Sequence, residues 1–400
     1  MYFYLSFLRP PPVAAPLSGA VPFTPQIAND LRTELLDAEQ DIFYTWVESS
    51  SGSAGPGSVI STTAQGHAAS LAGRTKLQKL TVWRPLGAYK ELKVPPPPRV
   101  REGQCWRLLL SATLDPSHTQ AIRLNIGNIC GKVPFPVLSM PIVFTARSAK
   151  FNAKQESVER VYSLGGVRSL QDGAPSDEEV ILKVTEQTSF DLDKKIWDSG
   201  IGLSSWVTAL HDAGPGTHGN LHTALFSEGT RHILELGAGT GIVSLVLAAL
   251  RTASLTPGAE HAQILTTDLP SAMPLLEQNI KTNSRCFSTS PPQAAVLDWD
   301  EPLPESILAT QGLDAIIMAD VTYNTAAFPS LIRTLEALIR LGPQPPLVLL
   351  GYKERDEGER TLWDLAREIG LEFERIGERP GAGGAPVEIW LGSVQAKSTT

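Results

Sequence analysis

Cysteine is scarce and scattered. The chain has 3 cysteines in 400 residues, Cys105, Cys130 and Cys286, and no two form a C-x-x-C pair. That spacing argues against a structural zinc site or a disulfide framework. It fits a reducing compartment, so the expected setting is the cytoplasm, with the nucleus as a second one. Each thiol reads as a small packing residue. Long apolar runs are missing too. No stretch reaches the roughly 18 apolar residues of a membrane-spanning helix, so no membrane partner is expected. The apolar start Met1 to Leu8 has no basic leader and meets Arg9-Pro10-Pro11-Pro12. It is too short for a signal-peptide core and reads as a first strand. Basic residues are outnumbered, 34 Lys and Arg against 42 Asp and Glu, for a net charge of -8. A general nucleic-acid binder needs the opposite excess to neutralise phosphates. Nucleic acid is therefore not an expected partner.

What is present is ample core material. With 42% hydrophobic and 19% charged residues, global disorder is excluded. The length accommodates two domains, and the two halves read differently. Residues 1–147 hold short β-rich runs: Ile42 to Val47, Leu80 to Trp83, Cys105 to Leu110, Ala121 to Ile126 and Val137 to Phe144. Turn-rich segments separate them, which predicts an antiparallel β region, with a sandwich as one arrangement. Trp46, Trp83 and Trp106 in these runs read as core residues. Ser49 to Gly57 reads as a flexible loop and Pro95 to Pro98 as a stiff connector. Residues 148–179 are polar, carry Gly165-Gly166 and Asp172-Gly173, and read as a linker or long loop. Residues 396–400 read as a disordered tail.

Residues 180–395 change character. Apolar strands end at Leu236, Thr267, Leu297, Ala319 and Gly351, and helical patterns follow most of them. Alternating strands and helices predict an α/β fold with a mostly parallel sheet covered on both faces. The last two strands, Glu372 to Ile376 and Val387 to Gly392, flank Gly381-Ala382-Gly383-Gly384. They form a hairpin that reverses one strand at that edge.

The sharpest motif is Leu234-Glu235-Leu236-Gly237-Ala238-Gly239-Thr240-Gly241. Glycines at a strand-to-helix turn let a ligand approach the backbone, and the helix start offers N–H groups and a positive dipole end. A dinucleotide fingerprint needs Gly-x-Gly-x-x-Gly. Here the glycines fall at 237, 239 and 241, which disfavours it. A plain strand-to-helix turn remains open for this loop taken alone. Asp268-Leu269 ends the next strand, where one carboxylate can accept both hydroxyls of a ribose. Asp268 also suits a helix cap. Asp298-Trp299 follows the third strand and offers an acceptor for an adenine amino group and a flat apolar wall, or a surface acid and a core tryptophan. Asp320-Val321-Thr322-Tyr323 follows Ala319 at the end of the fourth. Glycines or an acid thus stand at four successive strand ends, where open α/β sheets bind ligands.

The set Ile196-Trp197-Asp198-Ser199-Gly200, Leu234 to Gly241, Thr267-Asp268-Leu269, Leu297-Asp298-Trp299 and Asp320-x-x-Tyr323 resembles the non-histone protein lysine methyltransferases. These are seven-β-strand, class I S-adenosylmethionine-dependent enzymes with a Rossmann-like sheet. The resemblance covers roughly residues 180–395 and is of a fungal type with an amino-terminal extension. It implies S-adenosyl-L-methionine as cofactor and a lysine-containing protein as partner. It assigns Trp197, Glu235, Gly237, Ala238, Gly239, Gly241, Asp268, Leu269, Asp298, Trp299 and Ala319 to the cofactor and Asp320 and Tyr323 to catalysis. Glu235 is expected near the methionine amino group or holding the loop. Asn324 stands where many relatives have an acid nearby. Other readings stay open: a small-molecule methyltransferase acting on a nicotinamide-like amine, or an inactive binding module on the same fold. The Asn-Pro-Pro-Tyr motif of amino-methylating DNA enzymes is absent.

Overall fold

The computed structural model describes residues 1–49, 73–115, 119–146, 153–168, 175–189, 191–254, 262–287, 290–310 and 312–394. The amino-terminal strands are β1 Tyr4–Arg9, β2 Ala14–Pro16, β3 Val21–Ala28, β4 Gln40–Ser49, β5 Gln78–Trp83, β6 Leu92–Val94 and β7 Cys105–Ser111. They continue with β8 Ile122–Arg123, β9 Val137–Ser139, β10 Ile142–Thr145, β11 Ser157–Arg168 and β12 Pro175–Gln187. These strands build one 3-stranded and one 9-stranded sheet, antiparallel but for β2 with β10 and β8 with β11. Leu5, Phe7 and Phe23 from the small sheet share a core with Trp46, Leu108 and Phe144 from the large one. All three tryptophans of this half are buried, as their strand context predicts. None of the cysteines is disulfide-bonded.

The carboxyl-terminal half follows the order α1 Asp198–Ala213, α2 Gly219–Phe226, β13 His232–Leu236, α3 Ile242–Ser254, β14 Gln263–Asp268, α4 Met273–Thr282 and β15 Pro292–Val296. It closes with α5 Glu305–Leu308, β16 Ala315–Ala319, α6 Phe328–Ile339, β17 Leu347–Lys353, α7 Thr361–Glu368, β18 Leu371–Arg379 and β19 Val387–Val394. The sheet order is β15-β14-β13-β16-β17-β19-β18. All pairings are parallel except those of β19, which runs against both β17 and β18. The final hairpin thus supplies the reversed strand, one place in from the edge. Chain order turns back at β13, between β14 and β16, so the carboxyl ends of these strands open a crevice there. Helices α1 and α3 cover one face; α6 and α7 cover the other. Among the described residues no helix is long and apolar enough to cross a membrane.

Residues 157–168, read above as linker, form strand β11, and β12 begins at Pro175. Polar composition misleads here because the polar side chains are buried in pairs. Arg160 Nε donates to Glu186 at 2.6 Å, and Glu159 meets Arg107 at 2.8 Å. Gly165, at φ +74°, lies where the β11–β12 register shifts, and a Cβ there would stand 2.3 Å from Asn125 Nδ2. The glycine pair therefore marks a bulge rather than a linker. The loop expected at 49–57, apart from Ser49 at the end of β4, and the tail at 396–400 lie outside the described residues.

Hairpin β11–β12 ties the halves together. Tyr162, Leu164, Leu182 and Val184 share a core with α1 and α3. The outer backbone of β12 is paired by asparagine side chains of α4 and its end. Asn279 accepts from Thr185 N–H at 2.9 Å and donates to Thr185 C=O at 3.0 Å. Asn283 does the same for Lys183, both at 2.8 Å. Asn279 also donates to the carbonyl of Thr240 in the glycine loop at 3.0 Å. Two side chains thus satisfy a strand edge that would otherwise be buried unpaired. Asn279→Ala leaves three buried backbone groups without partners. It is expected to cost about 2–4 kcal/mol in urea unfolding, whereas an exposed change such as Glu277→Ala stays within about 0.5 kcal/mol.

Candidate functional site

The glycine loop leaves β13 and enters α3. Gly237, Gly239 and Gly241 have φ of +63°, +54° and +80°, the left-handed region that glycine enters without strain. A Cβ on Gly237 would lie 2.8 Å from Val321 Cγ1 and 3.4 Å from Trp299 Cζ2. The loop is pinned to the neighbouring strand, since Ala238 N–H donates to the Thr267 carbonyl at 3.0 Å. The structure turns Glu235 inward. Its carboxylate is buried and accepts from the Ser244 N–H at 3.2 Å and from the Ser244 hydroxyl. Burial pushes Glu235 up to about 7, against those two donors. Of the two places expected for it, this geometry is the one that holds the loop and its helix.

Asp268 closes over the loop from β14. Gly239 N–H donates to Oδ2 at 2.6 Å and Leu269 N–H to Oδ1 at 2.7 Å. Each oxygen keeps a further lone pair, so the carboxylate is oriented by the backbone and still able to accept. Burial holds it above its ordinary value, with both N–H groups opposing. The stretch before α1 crosses the same loop: the Asp193 carbonyl would be 3.5 Å from a Cβ on Gly239. Asp193 Oδ2 is buried with no hydrogen-bond partner among the described residues. Leu269 is exposed, and Asp298 Oδ1 accepts from Asp300 N–H at 3.0 Å in a tight turn. Trp299 is half-buried against Gly237. Trp197 donates its indole N–H to the Leu192 carbonyl at 2.9 Å.

The fourth strand end is the most constrained. Asp320 follows Ala319, has φ +63°, and is 7% exposed. Aspartate tolerates this region better than most residues, yet such backbone persists only when its surroundings over-determine it. Arg355 grips both carboxylate oxygens, with Nη2 to Oδ2 at 2.6 Å and Nη1 on Oδ1. Ser199 Oγ donates to Oδ1 at 3.2 Å. Burial holds Asp320 above its ordinary value, and Arg355 opposes that shift. Arg355 also lies 5.6 Å over the Trp197 ring. Tyr323 is half-exposed, and burial with Asp268, Asp193 and Asp320 nearby keeps its phenol protonated to higher pH than usual.

Sequence reasoning passed over Arg355 and Lys353, and it quoted Ser199 in its first motif without giving it a role. The strand-end rule carried one strand further, to Lys353 at the end of β17, leads to the first two. Asp30, which also meets Arg355, stands in a turn of the amino-terminal half with no local signal. The ends of β13, β14, β16 and β17, the turn after β15 and the stretch into α1 therefore converge on one crevice. One side is lined by backbone and carboxylate acceptors around the glycine loop. The other is a clamped acid beside a phenol.

Residues 176–368 match the family described as lysine methyltransferase. Among curated proteins, the Saccharomyces cerevisiae protein-lysine N-methyltransferase EFM6 is 31% identical over 34% of this chain and 54% of its own length. The Xenopus tropicalis EEF1A lysine methyltransferase 3 is 31% identical over 32% of this chain and 50% of its own. The Danio rerio protein N-lysine methyltransferase METTL21A is 32% identical over 36% and 59%. The chain spans about half the length of the curated relatives it matches. Gly237→Ala adds a methyl against Val321 in a backbone region that disfavours it. About 1–3 kcal/mol of strain should lower stability by a similar amount in urea unfolding.

Proposed function

With the segment 176–368 a member of the lysine methyltransferase family, we propose that this chain methylates a lysine side chain of another protein with S-adenosyl-L-methionine as donor. The observation that carries the reading is the convergence of Asp268, the glycine loop and the Asp320-x-x-Tyr323 stretch on one crevice. The residues present fit that cofactor. Asp268 is fixed by two N–H donors with lone pairs to spare for ribose hydroxyls. Asp193, whose backbone carbonyl lies against Gly239, has a buried Oδ2 without a partner among the described residues, and it would accept from a donor-bearing ligand. Trp299, packed beside Gly237, would offer its flat ring to the adenine.

When bound, the cofactor supplies an electrophilic methyl on a sulfonium, so no acid is needed for its departure. The protein supplies proximity and orientation. The acceptor amine must arrive without its extra proton, since only the neutral form has a lone pair, and a free lysine has a pKa of about 10.4. Asp320 attracts the ammonium into the slot. Because a carboxylate favours the charged amine, it promotes binding and leaves deprotonation to water. Tyr323, held protonated, walls the slot and bonds the amine or the adjacent peptide.

The deciding experiment incubates the chain with labelled S-adenosylmethionine and yeast extract, then maps the label by mass spectrometry. The label is expected on lysine of a discrete protein. Label on a small amine alone would overturn the protein-acceptor reading, and absence of cofactor binding by calorimetry would overturn the enzyme reading. Asp320→Asn is expected to lower kcat/KM by about 100-fold or more, with cofactor affinity within about threefold.

A further inference from the structure

Asp30 belongs to the amino-terminal half, in the turn after β3, yet its carboxylate is 0% exposed and reaches the site. Four donors meet it. Leu31 N–H and Lys353 Nζ approach Oδ1 at 2.9 and 3.2 Å. Arg355 Nη2 and Asp198 N–H approach Oδ2 at 2.9 and 3.2 Å. Burial alone would raise Asp30, but Lys353 and Arg355 together hold it below its ordinary value, so it stays ionised.

Arg355 Nη2 is therefore shared, 2.6 Å from Asp320 and 2.9 Å from Asp30. A guanidinium nitrogen carries two hydrogens, one for each acid. The two acids fix the plane of the fork, with Trp197 beneath it. The charges matter as well. Asp30, Asp198 and Asp320 share Lys353 and Arg355, which leaves one negative charge in excess. Without Asp30 the cluster is neutral, and Arg355 cancels Asp320.

We propose that Asp30 is a positioning residue of the acceptor slot: it aligns Arg355 and draws off part of its charge, so that Asp320 keeps its attraction for an incoming ammonium. This rests on the methyl-transfer reading above. It assigns the amino-terminal β region a share in acceptor binding.

The test uses the full chain and the protein that the wild-type chain labels in yeast extract, purified for kinetics. Asp30→Asn is expected to raise KM for that acceptor about tenfold, lower kcat by less than about threefold, and leave S-adenosylmethionine affinity within about twofold. In an Arg355→Gln background the same change should alter KM by less than about twofold, because the guanidinium whose plane and charge Asp30 governs is gone. An unchanged KM with fewer active molecules would show a purely structural Asp30 and overturn the proposal. So would losses that simply multiply in the double variant. If Asp30→Asn shows no cooperative melt, Arg355→Lys alone decides: a raised KM supports the proposal and an unchanged one overturns it. A wild-type chain that labels nothing overturns the methyl-transfer reading and this inference with it. Normal wild-type turnover with an unaltered Asp30→Asn KM overturns only the inference.

Discussion

Three buried acids, Asp30, Asp198 and Asp320, share two cations, Lys353 and Arg355, and the arrangement of the whole molecule depends on their meeting. They come from four places: a turn of the amino-terminal half, the start of α1, the end of β16 and, for both cations, the end of β17. Asp198 also accepts from Tyr2 N–H at 2.9 Å and Tyr4 hydroxyl at 2.7 Å, which brings the first residues of the chain into the same cluster. Burial, then Asp30, pushes Asp198 up to about 6, while Lys353 opposes. Such a cluster is weak as a source of net stability, because desolvation offsets most of the attraction. It is strong as a constraint, because losing either cation strands a buried charge, at about 3–5 kcal/mol. The cluster therefore dictates which halves face each other more than how tightly they hold.

Apolar packing and backbone pairing supply the adhesion that the ions do not. Hairpin β11–β12 buries tyrosine, leucine and valine against α1 and α3. Asn279 and Asn283 replace the missing neighbour strand of β12. Tyr2 lies against Gly131 and Gly381, where a Cβ would stand 2.2 and 2.4 Å from its ring. Because Asn279 also holds the Thr240 carbonyl, the support of the glycine loop passes through the residue that pairs the amino-terminal hairpin. The β-rich half is thus built into the site rather than appended to it.

Much of the carboxyl-terminal fold was legible because its signals are local. A strand running into Gly-x-Gly-x-Gly and acids at successive strand ends are written within a few residues of one another. Strand ends in a parallel sheet share one edge, so reading them in order also reads the crevice. The reading failed where polarity and burial part company. Glu159, Arg160, Ser163 and Glu179 read as a solvated linker, yet each meets a partner across the hairpin or sheet. It was incomplete at Arg355, which stands two residues past a strand that the sequence reading ended at Gly351.

By itself the sequence determined the α/β order, the glycine turn and the acids that can face a ligand, since these follow from periodicity and from glycine's access to positive φ. Only the tertiary structure decided what those acids do. Glu235 turns inward to a helix start, Asp268 is aimed by two N–H groups, and Asp320 is clamped by an arginine shared with Asp30, 290 positions away in the chain. The reason is physical. Backbone preference acts over a few residues and leaves its mark locally, whereas charge pairing in a buried site is settled by which elements pack together, and no spacing in the chain records that.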